Sequence, residues 1–376
     1  MSTRKKALWI SIVVAAGVVA VILVFALRQG QEKSLKVGAI LPMTGSAASY
    51  GKWMHKGISL AVEDINREGG INGRKLLVIF EDSASDNKVA VNAASKLIFV
   101  DRIRIIETTL TGVTKSVSPI TERNKVILFT SATFPGLTDN CAYVFRNATN
   151  MANEVGRMAE ACKNELNIRR IALLYINNPV GVWFKNYFAQ TFKDAGREVT
   201  AVESFDQGAT DFRTQLNKIK ATNPGALYIQ GYKEIGLAMK QARELGMQCQ
   251  FLGATDFELP DVVEVAGEAA NGAIYTKAAF DPRSSTETVK SFVSRYREKF
   301  GEEPEIYGAT MYDATHIIAL AVSRAGDDPD KLREFILSIR DYPGVSGTTT
   351  FLPNGDVSKP VMLKKIEGGT CVPYKQ

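Results

Sequence analysis

KVGAIL at 36–41, MHKGISLAVEDINR at 54–67 and KLLVIF at 75–80 decide the fold. The first and third runs are short, rich in β-branched residues and almost continuously apolar, which predicts strands covered on both faces. The middle run is amphipathic at helical spacing. Outward from it the alternation repeats. Strands are predicted at Arg104–Glu107, Val126–Thr130, Arg170–Ile176, Glu198–Phe205, Ala226–Gln230 and Gln250–Gly253. Helices are predicted at Asp86–Phe99, Met151–Leu166, Val182–Ala195, Asp211–Ala221 and Ile235–Leu245. Such alternation predicts an α/β protein whose parallel-rich sheets carry helices on both faces. After Gly272 the pattern changes to the helices Ser285–Phe300, Tyr307–Ala325 and Pro329–Ser338. Two short strands, Thr348–Phe351 and Val361–Ile366, then flank the turn Pro353-Asn354-Gly355-Asp356.

The chain has 376 residues, enough for two or three domains, with 45% hydrophobic and 23% charged residues, which excludes a disordered chain. Its net charge of +6 comes mostly from the first residues, Arg4, Lys5, Lys6, Arg28 and Lys33 against Glu32; the rest carries about +2. No basic patch argues for nucleic acid. Arg4, Lys5 and Lys6 precede the uncharged run Ala7–Leu27, so residues 1–33 read as an address. The run is long enough for an uncleaved membrane anchor, while Val24 and Ala26 suit the −3 and −1 positions of a cleaved signal peptide. Either way the basic head places residues from about Leu35 onward outside the cytoplasm. No cysteine follows that run closely enough to carry a lipid. Cys141, Cys162, Cys249 and Cys371 allow three disulfide pairings, or four free thiols.

Enzyme signatures fail. Only two histidines occur, His55 and His316, both inside helical patterns, which excludes a multi-histidine metal site. Gly45–Trp53 departs from a phosphate loop, with five residues between its glycines and Trp53 where a magnesium-binding hydroxyl belongs. Neither G-x-G-x-x-G after the first strand nor a G-x-S-x-G elbow is present. No nucleophile, base and orienting group assemble, so the chain is read as a non-enzyme without cofactor or metal. In open parallel sheets, ligands bind beyond the carboxyl ends of strands. Those ends are Thr44–Ser46, Thr108–Thr114, Thr130–Thr133, Asn177–Gly181, Gln230–Lys233 and Ala254–Asp256, rich in hydroxyls and small residues. Hydroxyls and free amides at a helix start suit a carboxylate, and an acidic residue at a facing strand end suits an ammonium.

Leu41-Pro42-Met43-Thr44-Gly45 with Tyr50-Gly51, then Gly57–Asn66 and Gly69–Leu76, form an ordered set. Glu81-Asp82, Asp86, Thr130–Thr133 with Pro135 and Leu137-Thr138, Gln230-Gly231-Tyr232, Gln241–Gly246 and Phe251-Leu252-Gly253 continue it. From about Leu35 on, the chain resembles the extracytoplasmic solute-binding proteins of the leucine/isoleucine/valine-binding family, which serve ABC importers. The resemblance implies a type I periplasmic binding fold: two Rossmann-like lobes joined by three crossovers that close on a ligand. Crossings are expected near Phe145–Asn147, Thr276–Phe280 and Gly344–Gly347. Lobe 1 then covers 35–145 plus 278–345, and lobe 2 covers 146–277 plus 346–376.

The family's binding positions fall on Thr111, whose hydroxyl would hold a ligand carboxylate, and its neighbour Leu110. They also fall on Ser131, Ala132 and Thr133, which would offer an N–H, a carbonyl and a hydroxyl. Tyr50 would close over the ligand, and Tyr232 would contact it from lobe 2. The competing readings are a helix cap for Thr111 and packing for Tyr232. Two positions depart from the family: Val180 stands where a tyrosine usually stacks, and Thr255-Asp256 where a glutamate takes the ammonium. Asp256 in the cleft argues for a cationic group on the ligand; Asp256 as a helix N-cap would turn the choice to an amide, an organic acid or an aromatic acid. The expectation is a monomeric receptor, periplasmic or otherwise extracytoplasmic, carrying a branched-chain or other apolar amino acid to a permease. Ligand sensing by the same fold is the alternative.

Overall fold

The computed structural model describes residues 34–374. The signal or anchor read at 1–33 lies outside the described residues. Among the described residues, no helix is long and apolar enough to cross a membrane.

The first sheet has the order β2-β1-β3-β4-β5, all parallel, from β1 (Leu35–Leu41), β2 (Leu76–Asp82), β3 (Ile105–Thr108), β4 (Ile127–Thr130) and β5 (Val144–Arg146). Helices α1 (Ala48–Arg67), α2 (Asn87–Ser95) and α3 (Thr111–Arg123) connect its strands. The apolar runs are buried on both sides, as continuous hydrophobicity requires. Ile40, Ile106 and Leu128 pack on Ala90, Leu97 and Val117. Val37, Ile105 and Ile127 pack on Ile317, Ile318 and Val322 on the other face.

The second sheet runs from β15 (Thr370–Pro373) and β14 (Val361–Glu367) through β10, β9 and β8 to β6 and β7. Its parallel part comprises β6 (Arg170–Ile176), β7 (Glu198–Phe205), β8 (Ala226–Gln230), β9 (Gln250–Gly253) and β10 (Ile274–Ala278). Helices α4 (Met151–Asn164), α5 (Pro179–Asp194), α6 (Arg213–Ala221), α7 (Glu234–Glu244) and α8 (Pro260–Ala266) accompany it. Asn150 caps α4 by accepting from the N–H groups of Ala152 and Asn153, and Asn178 caps α5 with Pro179 at its first turn.

The chain then returns through α9 (Glu287–Phe300), α10 (Ile306–Ala325) and α11 (Pro329–Ser338). It forms a small sheet of β11 (Tyr342–Gly344), β12 (Gly347–Phe351) and β13 (Val357–Ser358). It ends on the second sheet as antiparallel β14 (Val361–Glu367) and β15 (Thr370–Pro373). Helices α1 and α10 touch backbone to backbone: a Cβ on Gly57 would stand 2.0 Å from the Gly308 oxygen, so only glycine fits.

Several sequence expectations need correction. The two terminal strands join different sheets: β12 pairs with β11 and β13, whereas β14 pairs with β10 and β15. Phe351 and Val357 pack with Phe129 and Phe145, so the chain rejoins the second sheet at Val361 and not near Gly344–Gly347. Strands β5, β10, β11, β13 and β15 were not expected, being short or lacking a β-branched run. Periodicity alone does not mark helix α3, because Thr111–Pro119 is rich in threonine, serine and glycine and holds a proline, all poor helix signals. Helix α1 starts at Ala48, before the first apolar mark at Met54. All four cysteines are free thiols, so none of the three pairings forms.

The crossings are bound together by buried polar groups. Arg146, at the end of β5, is fully buried; it donates to the Ala132 and Phe134 carbonyls at 2.8 and 2.9 Å. Its Nε lies 2.9 Å from Asp356 Oδ1, a contact of opposite charges more than a directed hydrogen bond. Asp356 Oδ2 in turn accepts from Asn150 at 2.9 Å. Lys359 donates to Ser346 and Asn147, and Ser346 donates to Asp313. A buried charge survives only with such partners.

Candidate functional site

Strand order reverses between β1 and β3 in the first sheet, and between β6 and β8 in the second. At such points the loops diverge and leave a crevice beyond the strand ends. The two crevices open onto one cavity of about 360 Å³, the size range of small-solute sites. All ten residues singled out in the sequence line it. Tyr50, Leu110, Thr111, Ser131, Ala132 and Thr133 come from the side of the first sheet, and Val180, Tyr232, Thr255 and Asp256 from the second.

On the first wall, α3 begins with no capping side chain. The first-turn N–H groups of Thr111, Gly112 and Val113 lack intrahelical acceptors, and the helix dipole adds partial positive charge there. Leu110 turns the chain into this helix at φ 62°, ψ 130°, a conformation costly for a residue with a Cβ. Thr111 is thus the first helical residue and does not cap. Ser131 and Ala132 are less free than expected. The Ser131 N–H donates to the Thr108 carbonyl at 3.1 Å, and the Ala132 carbonyl already accepts from Arg146. Above them Tyr50 packs edge-on against Tyr307 at 4.7 Å, and Trp53 stacks on Tyr307 at 5.9 Å.

The second wall is acidic. Asp256 lies in a short 3₁₀ turn, Thr255–Glu258, and its carboxylate accepts no hydrogen bond among the described residues. Leu259 precedes the following helix, so Asp256 does not cap it. Burial pushes the Asp256 carboxyl up to about 7. Beside it stands Glu154, only 8% exposed, from the first turn of α4. The Thr255 hydroxyl donates to Glu154 Oε2 at 3.1 Å. Burial pushes Glu154 up to about 7 as well; the Asp256 charge adds to the rise, while bonds from Thr255 oppose it. Among the described residues, no lysine, arginine or histidine lines the cavity. The ring of Phe134, which lines the cavity, lies 5.9 Å from that of Trp183, and Trp183 stacks on Tyr187 at 4.9 Å.

Glu154, Tyr307 and the Phe134–Trp183 contact escaped the sequence reading. Glu154 sits four residues after the N-cap Asn150, where an acidic residue ordinarily just favours the helix dipole. Tyr307 opens an apolar helix and reads as core. Nothing local marks either.

This construction, two α/β lobes with hydroxyls and free amides on one wall and carboxylates on the other, defines a receptor that encloses a small solute. Residues 34–370 match the family model described as "Periplasmic binding protein", and the chain belongs to that family. It is 28% identical over 331 residues to the leucine-, isoleucine-, valine-, threonine- and alanine-binding protein of Pseudomonas aeruginosa, covering 86% of this chain and 87% of the relative. The leucine-binding protein LivK of Thermotoga maritima is 30% identical with a TM-score of 0.79, over 91% of this chain and 98% of that one. The branched-chain amino-acid protein LivJ of Streptococcus pneumoniae, in complex with isoleucine, is 26% identical with a TM-score of 0.79, over 90% and 98%. A solute-binding protein of Rhodopseudomonas palustris in complex with 3,4-dihydroxybenzoic acid is 25% identical with a TM-score of 0.74, over 89% and 93%.

Proposed function

We propose that the cleft captures an α-amino acid outside the cytoplasm and presents it to the permease of an ABC importer. One observation carries this reading: the two walls have opposite polarity. The α3 amino terminus with Thr111 complements a carboxylate, and Asp256 complements an ammonium. The remaining lining, including Met54, Val155, Val180, Phe184 and Ile306, offers hydrocarbon surface to a side chain. The names of the relatives suggest branched-chain and other apolar amino acids within that class. An organic or aromatic acid without an amine would face two carboxylates and no basic side chain, which disfavours it. Mass spectrometry of small molecules released from the denatured purified protein tests the class. An amino acid at near-equimolar amount supports it; an acid lacking nitrogen refutes it.

The two lobes, divided near residues 145, 280 and 360, open and close about the crossings. Closure brings Phe134 onto Trp183, so Trp183→Ala should release ligand faster. An aromatic pair contributes about 0.5–1.5 kcal/mol, so a roughly 2–10-fold rise in koff in stopped-flow is expected, with kon little changed.

In the described conformation burial raises the Glu154 and Asp256 carboxyls to about 7, above their ordinary carboxylate values, and opening the cleft to water would lower them again. The closed state therefore binds more protons than one whose cleft is open to water, and acid favours closure. Between pH 8 and pH 5 the ligand-free protein should become more compact in small-angle scattering. Expansion over that window would contradict the assignment.

A further inference from the structure

The cavity's charges do not balance for a ligand with a single ammonium. Asp256 and Glu154 face it together, and the second lies outside the set of positions that the family resemblance supplies. The groups around the pair, taken element by element, add no cation. Tyr50 on α1, Tyr228 on β8, Tyr232 after it and Tyr307 on α10 surround Asp256 with aromatic rings, and Asp256 disfavours ionisation of all four hydroxyls. Lys277 on β10 is the basic residue whose charge reaches Glu154, but it is paired with Glu258. Gln230, 8% exposed, lines the same wall, and its Oε1 has no hydrogen-bond partner among the described residues. Two carboxylates, an unpaired amide oxygen and several π faces make a wall of acceptors.

We infer that the ligand brings two cationic nitrogens to this wall: an α-amino acid with a basic group at the end of a hydrocarbon stem. The inference rests on the amino-acid reading above and extends it to the side chain. One carboxylate neutralises the α-ammonium and the other the side-chain cation. The stem runs along apolar lining such as Met54, Val155 and Val180, as basic side chains do when they bury their methylenes. Glu154 is then a specificity residue. Thr255 holds one of its oxygens, and Asn150 fixes the helix that carries it. A purely apolar amino acid would leave a second buried carboxylate without a cation, which proteins avoid by pairing it or protonating it.

Paired isosteres test this by calorimetric titration of the whole protein at pH 8: arginine against citrulline, and lysine against norleucine, with leucine alongside. The charged member of at least one pair should bind ten-fold or more tightly than its neutral partner. Glu154→Gln, near-isosteric and checked for folding by thermal unfolding, should reduce that ratio to within about three-fold. Should Glu154→Gln fail to fold, the wild-type ratio alone decides. Neutral members or leucine binding as tightly as the charged ones would overturn the inference and leave the amino-acid reading standing, the pair then holding a proton in place of a second cation. Silence from every amino acid would overturn both.

Discussion

Asp256→Asn should weaken ligand binding by about 30-fold or more without destabilising the ligand-free protein. Truncating one partner of a buried charge pair costs roughly 2–5 kcal/mol, and 1.4 kcal/mol is about ten-fold in affinity. The separation of the two effects is the informative part. Asp256 has no hydrogen-bond partner among the described residues, and burial holds its carboxyl up to about 7, so its ionised form opposes the compact state above that pH. Asparagine removes that opposition. At pH 8 the variant's ligand-free melting temperature should equal or exceed the wild type's. Parallel loss of stability and binding would instead mark Asp256 as structural.

Arg146→Leu should produce the largest loss of stability, about 3–5 kcal/mol, because it strands a buried carboxylate. Arg146 is fully buried between Asp356 and the carbonyls of Ala132 and Phe134. Leucine leaves all of these without their cation. The effect should reach the cleft as well, since those carbonyls belong to the loop bearing Ser131 and Thr133. Urea unfolding should show the midpoint falling in Arg146→Leu and partly recovering when Asp356→Asn is added, because the second change removes the orphaned charge. Additive losses in the double variant would exclude the pairing as the cause.

Much of this architecture is written locally in the chain. Runs such as Arg170–Ile176 and Ala226–Gln230 are apolar on both faces because helices cover both, and they begin and end where read. The strand tips followed from the same logic, since a parallel sheet has a single ligand-facing edge. What stayed hidden depends on distant partners. Glu154 becomes part of the cleft only because α4 starts beside Thr255, a hundred residues on. Tyr307 faces ligand space because Gly57 lets α10 approach α1 so closely. The Ser131 amide and Ala132 carbonyl, open in the sequence, are occupied through contacts with Thr108 and Arg146. The parting of β12 and β14 into separate sheets is likewise set by pairing with remote strands, which a turn motif between them does not encode.

The most direct measurement is calorimetric titration of the purified protein with each of the common amino acids, repeated on Asp256→Asn. At least one should bind saturably with one site per chain, and the variant should lose that heat at the same concentrations. If no amino acid produces a binding isotherm, or if the variant binds as well as the wild type, the two opposed walls do not hold an amino acid's carboxylate and ammonium.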